Sequence, residues 1–364
     1  MKSKRTLIAG LCLLLLVPGV TWASTFDDAM RIVEDPKELA TRSAEAERLF
    51  RQTVASNAAH VDAWYNLGLI LAQRGDTAGA EDAWRRALAA RADHLPSKAQ
   101  LAGLALARGE TARAVETLEG IIGESRFQPE ARNLLAAHAI ARQDYDGAIL
   151  HARNVLLGDP RNVNALLNAA IAYYHKGLYD QAGLIAESGL DRQPEAAALR
   201  NVMGLVYLAR DNTRRATEEF LAALESDPGN MDARLNLAAL ELAYGNFDSS
   251  LRRLDAALEV RRNDPMIVLS RGVALRGLER FAEAQEAYER ALALNPGLHD
   301  AEYNLCVLHH QFTEQWQEAR RWCSRYLGRI DATHPRHREV ERRVRAVETT
   351  IMLLESEAPP PLDP

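Results

Sequence analysis

The sequence predicts an all-α array of paired helices, and three observations predict it. Alanine recurs every 34 residues at Ala80, Ala114, Ala148, Ala182 and Ala216, then at Ala284, with the small Ser250 in the place between. Proline follows the same period at Pro160, Pro194, Pro228 and, after one gap, Pro296. Turn signals sit between these marks, as in Arg74-Gly75-Asp76-Thr77, Arg108-Gly109-Glu110-Thr111 and Tyr244-Gly245-Asn246-Phe247. Self-similarity at a fixed period means a unit that stacks on its neighbours because it cannot bury its apolar face alone.

The elements follow in order. Lys2, Lys4 and Arg5 precede an apolar run from Leu7 to Val17, then Pro18, with Thr21 and Ala23 at small-residue cleavage positions. Residues 1–23 therefore read as a signal peptide cut before Ser24, the run being short of the roughly 20 residues a membrane-spanning helix needs. Cys12 lies inside the run behind Leu11, not after a small residue at its end, which argues against a lipoprotein. Residues 24–60 read as an amino-terminal cap. Asp35-Pro36 breaks a short opening helix, and Leu39, Ala46, Leu49 and Phe50 then share one face, with Phe50 in phase with Trp84.

Full copies begin at Val61, Leu95, Pro129, Val163, Ala197, Met231, Pro265 and His299 and extend to about residue 333. In the three turns quoted above, glycine tolerates the left-handed conformation at a helix end, and the following Asp or Thr can cap the next helix. The eighth copy carries one extra residue in its turn, Gln311 to Gln315, before Trp316. Residues 334–356 read as a closing helix with Val340, Val344, Val347 and Ile351 on one face and Arg338, Arg342, Arg343 and Arg345 outside, among acids that suit a solvated cap. Residues 357–364 are Pro-rich and read as an extended tail.

Taken together, Trp64, Leu67, Gly68, Ala80, Trp84 and Ala87 of the first copy, and their counterparts downstream, resemble the tetratricopeptide (TPR) repeat. The resemblance implies a right-handed superhelix whose first helices line an inner groove. A further likeness, resting on the cysteine-bearing last repeat and its arginine-rich closing helix, is to envelope TPR proteins of gliding-motility machinery.

In this register the eighth and twenty-fourth places face each other, pairing Gly68 with Trp84, Gly204 with Phe220 and Gly272 with Tyr288. A missing side chain makes room for a ring, so the hairpin interdigitates. Cys306 and Cys323 occupy the same two places in the last copy. In an oxidising compartment a disulfide is expected there; the alternative is two buried free thiols.

No phosphate-binding glycine loop, His-Glu-x-x-His, nucleophile elbow or Cys-x-x-Cys appears, so the expectation is no enzyme, no cofactor and no metal. The formal charge of -6 offers no basic surface for nucleic acid. What remains is shape. The resemblance implies partner contacts from Tyr65, Asn133, Leu167, Asn201 and Leu235 at the fifth place, and from Asn66, Asn168 and Asn236 at the sixth. It implies the same for Leu69, Ile171, Leu205 and Val273 at the ninth place, and for Leu106, Ile140, Tyr174, Leu208, Leu242 and Arg276 at the twelfth. This stripe is apolar for its family. Contiguous exposed apolar surface marks a binding site, although winding can bury it, and the amides can bond one another instead of a guest backbone. The basic and Asn set with which chaperone-binding TPR domains hold a terminal carboxylate is absent. The expected function is a non-catalytic scaffold of the bacterial periplasm or envelope that binds a helix or extended segment of another envelope protein, in a secretion, pilus or motility machine. The alternative is a regulatory or substrate-delivering subunit of an envelope enzyme or polysaccharide exporter.

Overall fold

A computed structural model describes residues 22–357, and these hold nineteen α-helices and no strands. The expected leader lies almost wholly outside the described residues, as do positions 358–364 of the expected tail. Helix α1 (Trp22–Glu34) starts two residues before the expected cut, and α2 (Pro36–Ser56) follows after the break at Asp35. The Asp35 carboxylate caps α2 by accepting from the Lys37 backbone N–H at 2.9 Å, and proline fits the first turn because no N–H partner is needed there.

The first helices of the repeats are α3 (Val61–Gln73), α5 (Leu95–Ala107), α7 (Pro129–Ala141), α9 (Val163–His175), α11 (Ala197–Ala209), α13 (Met231–Ala243), α15 (Pro265–Gly277) and α17 (His299–Gln311). Each starts at the residue the period predicts. The second helices are α4 (Thr77–Ala90), α6 (Thr111–Glu124), α8 (Tyr145–Gly158), α10 (Tyr179–Arg192), α12 (Thr213–Ser226), α14 (Phe247–Val260), α16 (Phe281–Leu294) and α18 (Trp316–Leu327). The start of α18 falls one residue late, where the insertion places it. The closing helix α19 (His337–Glu357) begins later and ends later than the sequence suggests, taking Glu357 from the expected tail.

The turns need a left-handed residue in every repeat, and glycine supplies it in only some of them. Gly75, Gly109, Gly177 and Gly245 have φ of 82°, 83°, 74° and 76°, while Gln143, Asp211, Glu279 and Glu314 hold the same place at 62°, 55°, 60° and 51°. An L residue there costs roughly 1–2 kcal/mol, opposed by the backbone bonds of the turn, such as Asp144 N–H to the Ala139 carbonyl at 2.8 Å. Capping also differs from expectation. Asp76 and Asp144 accept from Gly79 and Gly147 N–H at 2.9 Å, whereas Glu110 and Asn246 make no side-chain cap bond.

The chain divides into two compact units, one up to Ala172 and one from Tyr173, the division falling within α9. In unit one α2 packs on α3, α4 on α5, α6 on α7, and α5 also on α7. In unit two each second helix packs on the following first helix, and α11, α13, α15 and α17 approach one another in succession. No two second helices within a unit approach as closely among the described residues, so the first helices lie on the inner side of each unit.

The facing pairs lock each hairpin as the register requires. A Cβ added to Gly68 or Gly204 would stand 2.6 Å from a ring carbon of Trp84 or Phe220, and one at Gly272 would stand 2.5 Å from Tyr288. All three rings are buried. Burial also pushes the Tyr288 phenol up to about 12, its hydroxyl having no partner. In the last repeat Cys306 and Cys323 form a disulfide across a Cα separation of 4.7 Å. On α19, Val340, Val347 and Ile351 are buried and Val344 packs against the core, while Arg343 pairs with Glu339 at 2.8 Å and Arg345 with Glu341 at 2.6 Å.

The fourth place carries a device absent from the sequence reading. Trp64 Nε1 donates to the Ala58 carbonyl at 2.9 Å and Arg200 Nε to the Pro194 carbonyl at 2.9 Å, and Arg132 and Arg234 donate likewise to Arg126 and Pro228. Each bond reaches six residues back and ties the start of a first helix to the linker before it. Arginine thus ties the linker at this place through its guanidinium, where a large apolar residue would do so by packing.

Candidate functional site

The inner side of each unit carries the residues that the register assigned to a partner. All of them are half-buried except Asn168 and Asn201, which are buried at 8% exposure. The apolar members thus keep one flank in the protein and one in solvent.

In unit one, Tyr65, Leu69, Asn133, Leu167 and Asn168 line a single cavity of about 430 Å³. Helices α3, α7 and α9 contribute these walls because fifth, sixth and ninth places recur on one helical face. Leu106 packs on the Leu118 cluster and Ile140 on Ala139, Ala148 and Ala172; Ile171 is half-buried nearby in sequence. The amides are largely engaged within the protein. Asn66 Nδ2 donates to the Asp62 carbonyl at 2.8 Å, Asn168 Nδ2 to the Asn133 backbone carbonyl at 3.1 Å, and Asn133 Nδ2 to Asn162 Oδ1 at 3.1 Å. The Asn133 side-chain oxygen is buried with no donor.

Four further polar lining residues escaped the sequence reading: Gln100, Glu130, Asn162 and Asn164. Gln100 stands at a sixth place, and Glu130 and Asn164 at second places, so the register already pointed to them. Glu130 is the only formally charged residue among the described lining residues. Its carboxylate accepts from the Tyr65 hydroxyl at 3.2 Å and from Gln128 Nε2 at 2.7 Å, both neutral donors. Burial, and after it the Glu130 charge, push the Tyr65 phenol well above its usual value, so it stays a donor.

In unit two, Leu205 and Leu208 pack on the Ala216, Phe220 and Leu237 cluster, and Leu235, Leu242 and Val273 on the larger core that follows. Asn236 Nδ2 donates to Asn201 Oδ1 at 2.9 Å. Sixth-place and fifth-place amides therefore bond each other across adjacent repeats. Tyr174 packs against Tyr179 with ring centroids 5.5 Å apart and planes tilted by 52°. Arg276 donates to Asn304 Oδ1 at 3.1 Å and lies over the Phe312 ring at 5.7 Å. Among the described residues no helix is long and apolar enough to cross a membrane, and no group of three or more His, Cys, Asp or Glu gathers as a metal site.

An inner face of half-exposed leucines and amides, on stacked helix-turn-helix units, defines a protein–protein interaction scaffold. The tetratricopeptide repeat profile matches residues 71–137, 139–205 and 207–268, with related profiles of the same repeat over residues 40–94 and 269–298, and the chain belongs to that family. Among curated relatives, the peroxisomal targeting signal receptor of Candida albicans is 31% identical over 156 residues, which is 41% of this chain and 26% of the receptor. The BBSome complex member bbs-4 of Caenorhabditis elegans is 26% identical over 43% of this chain and 35% of its own length. The chain thus spans only about a quarter to a third of these relatives. Among solved structures, pilF of Pseudomonas aeruginosa superposes with a TM-score of 0.51 at 17% identity, covering 58% of this chain and 96% of its own. PilW, described as a widely conserved type IV pilus biogenesis factor, gives 0.51 at 20% identity, covering 58% and 97%. At these identities the likeness is one of fold.

Proposed function

We propose that this protein is a non-catalytic scaffold of the bacterial periplasm or cell envelope whose inner face holds a segment of another envelope protein during assembly of a secretion, pilus or motility machine. The observation that carries the reading is the half-buried leucine stripe at Leu205, Leu208, Leu235 and Leu242. Leucines left partly wet in a row gain by shedding their remaining water to a guest of matching shape, each by a fraction of the roughly 1.5–3 kcal/mol that burying a whole leucine side chain contributes. The leader pattern and the Cys306–Cys323 bond support an oxidising, exported location, because structural disulfides persist there. Because PilW, similar in fold, is a pilus biogenesis factor, pilus assembly is the first machine to test.

The test is crosslinking in intact envelopes followed by capture of the tagged full chain, wild type against Leu205→Glu/Leu208→Glu. The double variant is expected to lose the captured partner while keeping the wild-type helical circular-dichroism spectrum at the capture temperature, its midpoint lowered because both leucines pack on the Phe220 cluster. Equal capture of the same proteins would exclude this face as the contact surface. Sequencing the amino terminus of the exported protein is expected to return Ser24 first.

A further inference from the structure

We propose that the cavity of unit one receives a lysine or arginine side chain of an extended polypeptide, with Glu130 as its counter-ion. This rests on the scaffold reading and assigns the partner's chemistry at one place on the inner face. The cavity, about 430 Å³, is large enough for a long side chain and part of its backbone. No lysine or arginine is among the described lining residues, and among the described residues the Glu130 carboxylate is held by the Tyr65 hydroxyl and the Gln128 amide alone.

A half-buried carboxylate solvated by neutral donors is electrostatically incomplete. A guest cation supplies the charge-assisted bond that the protein leaves unmade. Leu69, Leu134 and Leu167 offer apolar contact to the methylenes of such a side chain, while Gln100 and Asn164 present amides suited to a guest backbone. The two donors also hold Glu130 in place before the guest arrives, which lowers the ordering cost of binding.

The experiment pans a random phage-displayed peptide library on the full-length protein and on Glu130→Gln. An enriched arginine peptide is then compared with its citrulline twin by fluorescence anisotropy. Enrichment of basic residues on wild type is expected, with the citrulline twin about tenfold or more weaker, the scale of a hydrogen bond to a charged group. The twins should bind Glu130→Gln equally, and rising salt should narrow their difference on wild type. Glu130→Gln should melt as wild type does, and Glu130→Asp should restore part of the preference. Peptides that bind without basic preference, or a preference surviving in Glu130→Gln, would overturn the inference. If such charge-blind peptides are lost on Leu205→Glu/Leu208→Glu, the scaffold reading stands alone. A library yielding no binder overturns both.

Discussion

The seventh and eighth repeats close the same two places by different physics. In the seventh, Gly272 leaves a gap that the Tyr288 ring fills, and the hairpin is held by fit. In the eighth, Cys306 and Cys323 close it by a covalent bond. Fit depends on neighbours pressing the two helices together, and the seventh repeat has a full repeat on either side. The eighth has α19 alone on its outer side, and terminal segments open first when few contacts hold them. A covalent closure does not depend on that pressure. The eighth repeat also replaces apolar residues with titratable ones. His309 is fully buried where the seventh has buried Leu275, and Glu302, also fully buried, meets Arg325 Nε at 2.6 Å where the seventh has Val268.

The largest expected effect comes from removing the covalent closure. Cys306→Ala/Cys323→Ala should lower stability by about 3 kcal/mol in the chain-entropy account, read by denaturant unfolding with a probe on Trp322. Thiol titration of the denatured, unreduced exported protein should find no free thiol. Titratable thiols there would remove the contrast between the two repeats.

Overfilling the fit comes next. Gly204→Leu places branched carbons where Phe220 lies and should cost about 1–3 kcal/mol. A calorimetric midpoint equal to wild type would mean the ring does not occupy the glycine gap.

The smallest effect is a pH dependence confined to the last repeat. Burial lowers the His309 pKa below its ordinary 6.5; Nδ1 meets the Thr313 hydroxyl at 3.2 Å while Nε2 has no partner. Glu318, Glu289 and the Gln315 side chain oppose the shift without reversing it. The unfolded chain then binds the proton more readily than the folded one, so stability is complete above about pH 6.5 and declines as pH falls below it. His309→Leu should flatten that decline in a series of unfolding midpoints. An unchanged slope would place the sensitivity elsewhere.

Much of this was legible in the chain itself because it concerns distances within one repeat. The starts of α3 to α17, the glycine and ring partners, and the inserted residue before Trp316 all follow from a period matched to helical geometry. So does the facing of Cys306 and Cys323. The turn was less legible. Gln143 and Glu279 adopt the left-handed conformation that glycine signals elsewhere, because the backbone bonds of a repeated turn impose it regardless of side chain. The fourth place misled as well, since Arg132, Arg200 and Arg234 bond a linker carbonyl where the family pattern calls for apolar bulk.

By itself, then, the sequence determined the helices, their pairing and the face each residue takes, because propensity and periodicity act over a few turns of one chain. Only the tertiary structure decided what those faces meet. Asn236 reaches Asn201, Asn168 reaches the Asn133 backbone, and Tyr65 reaches Glu130 two repeats away, a carboxylate with no cation against it among the described residues. Such contacts depend on how far each repeat turns on the one before it. That rotation is set by the packing of whole helices against each other, and no local spacing encodes it.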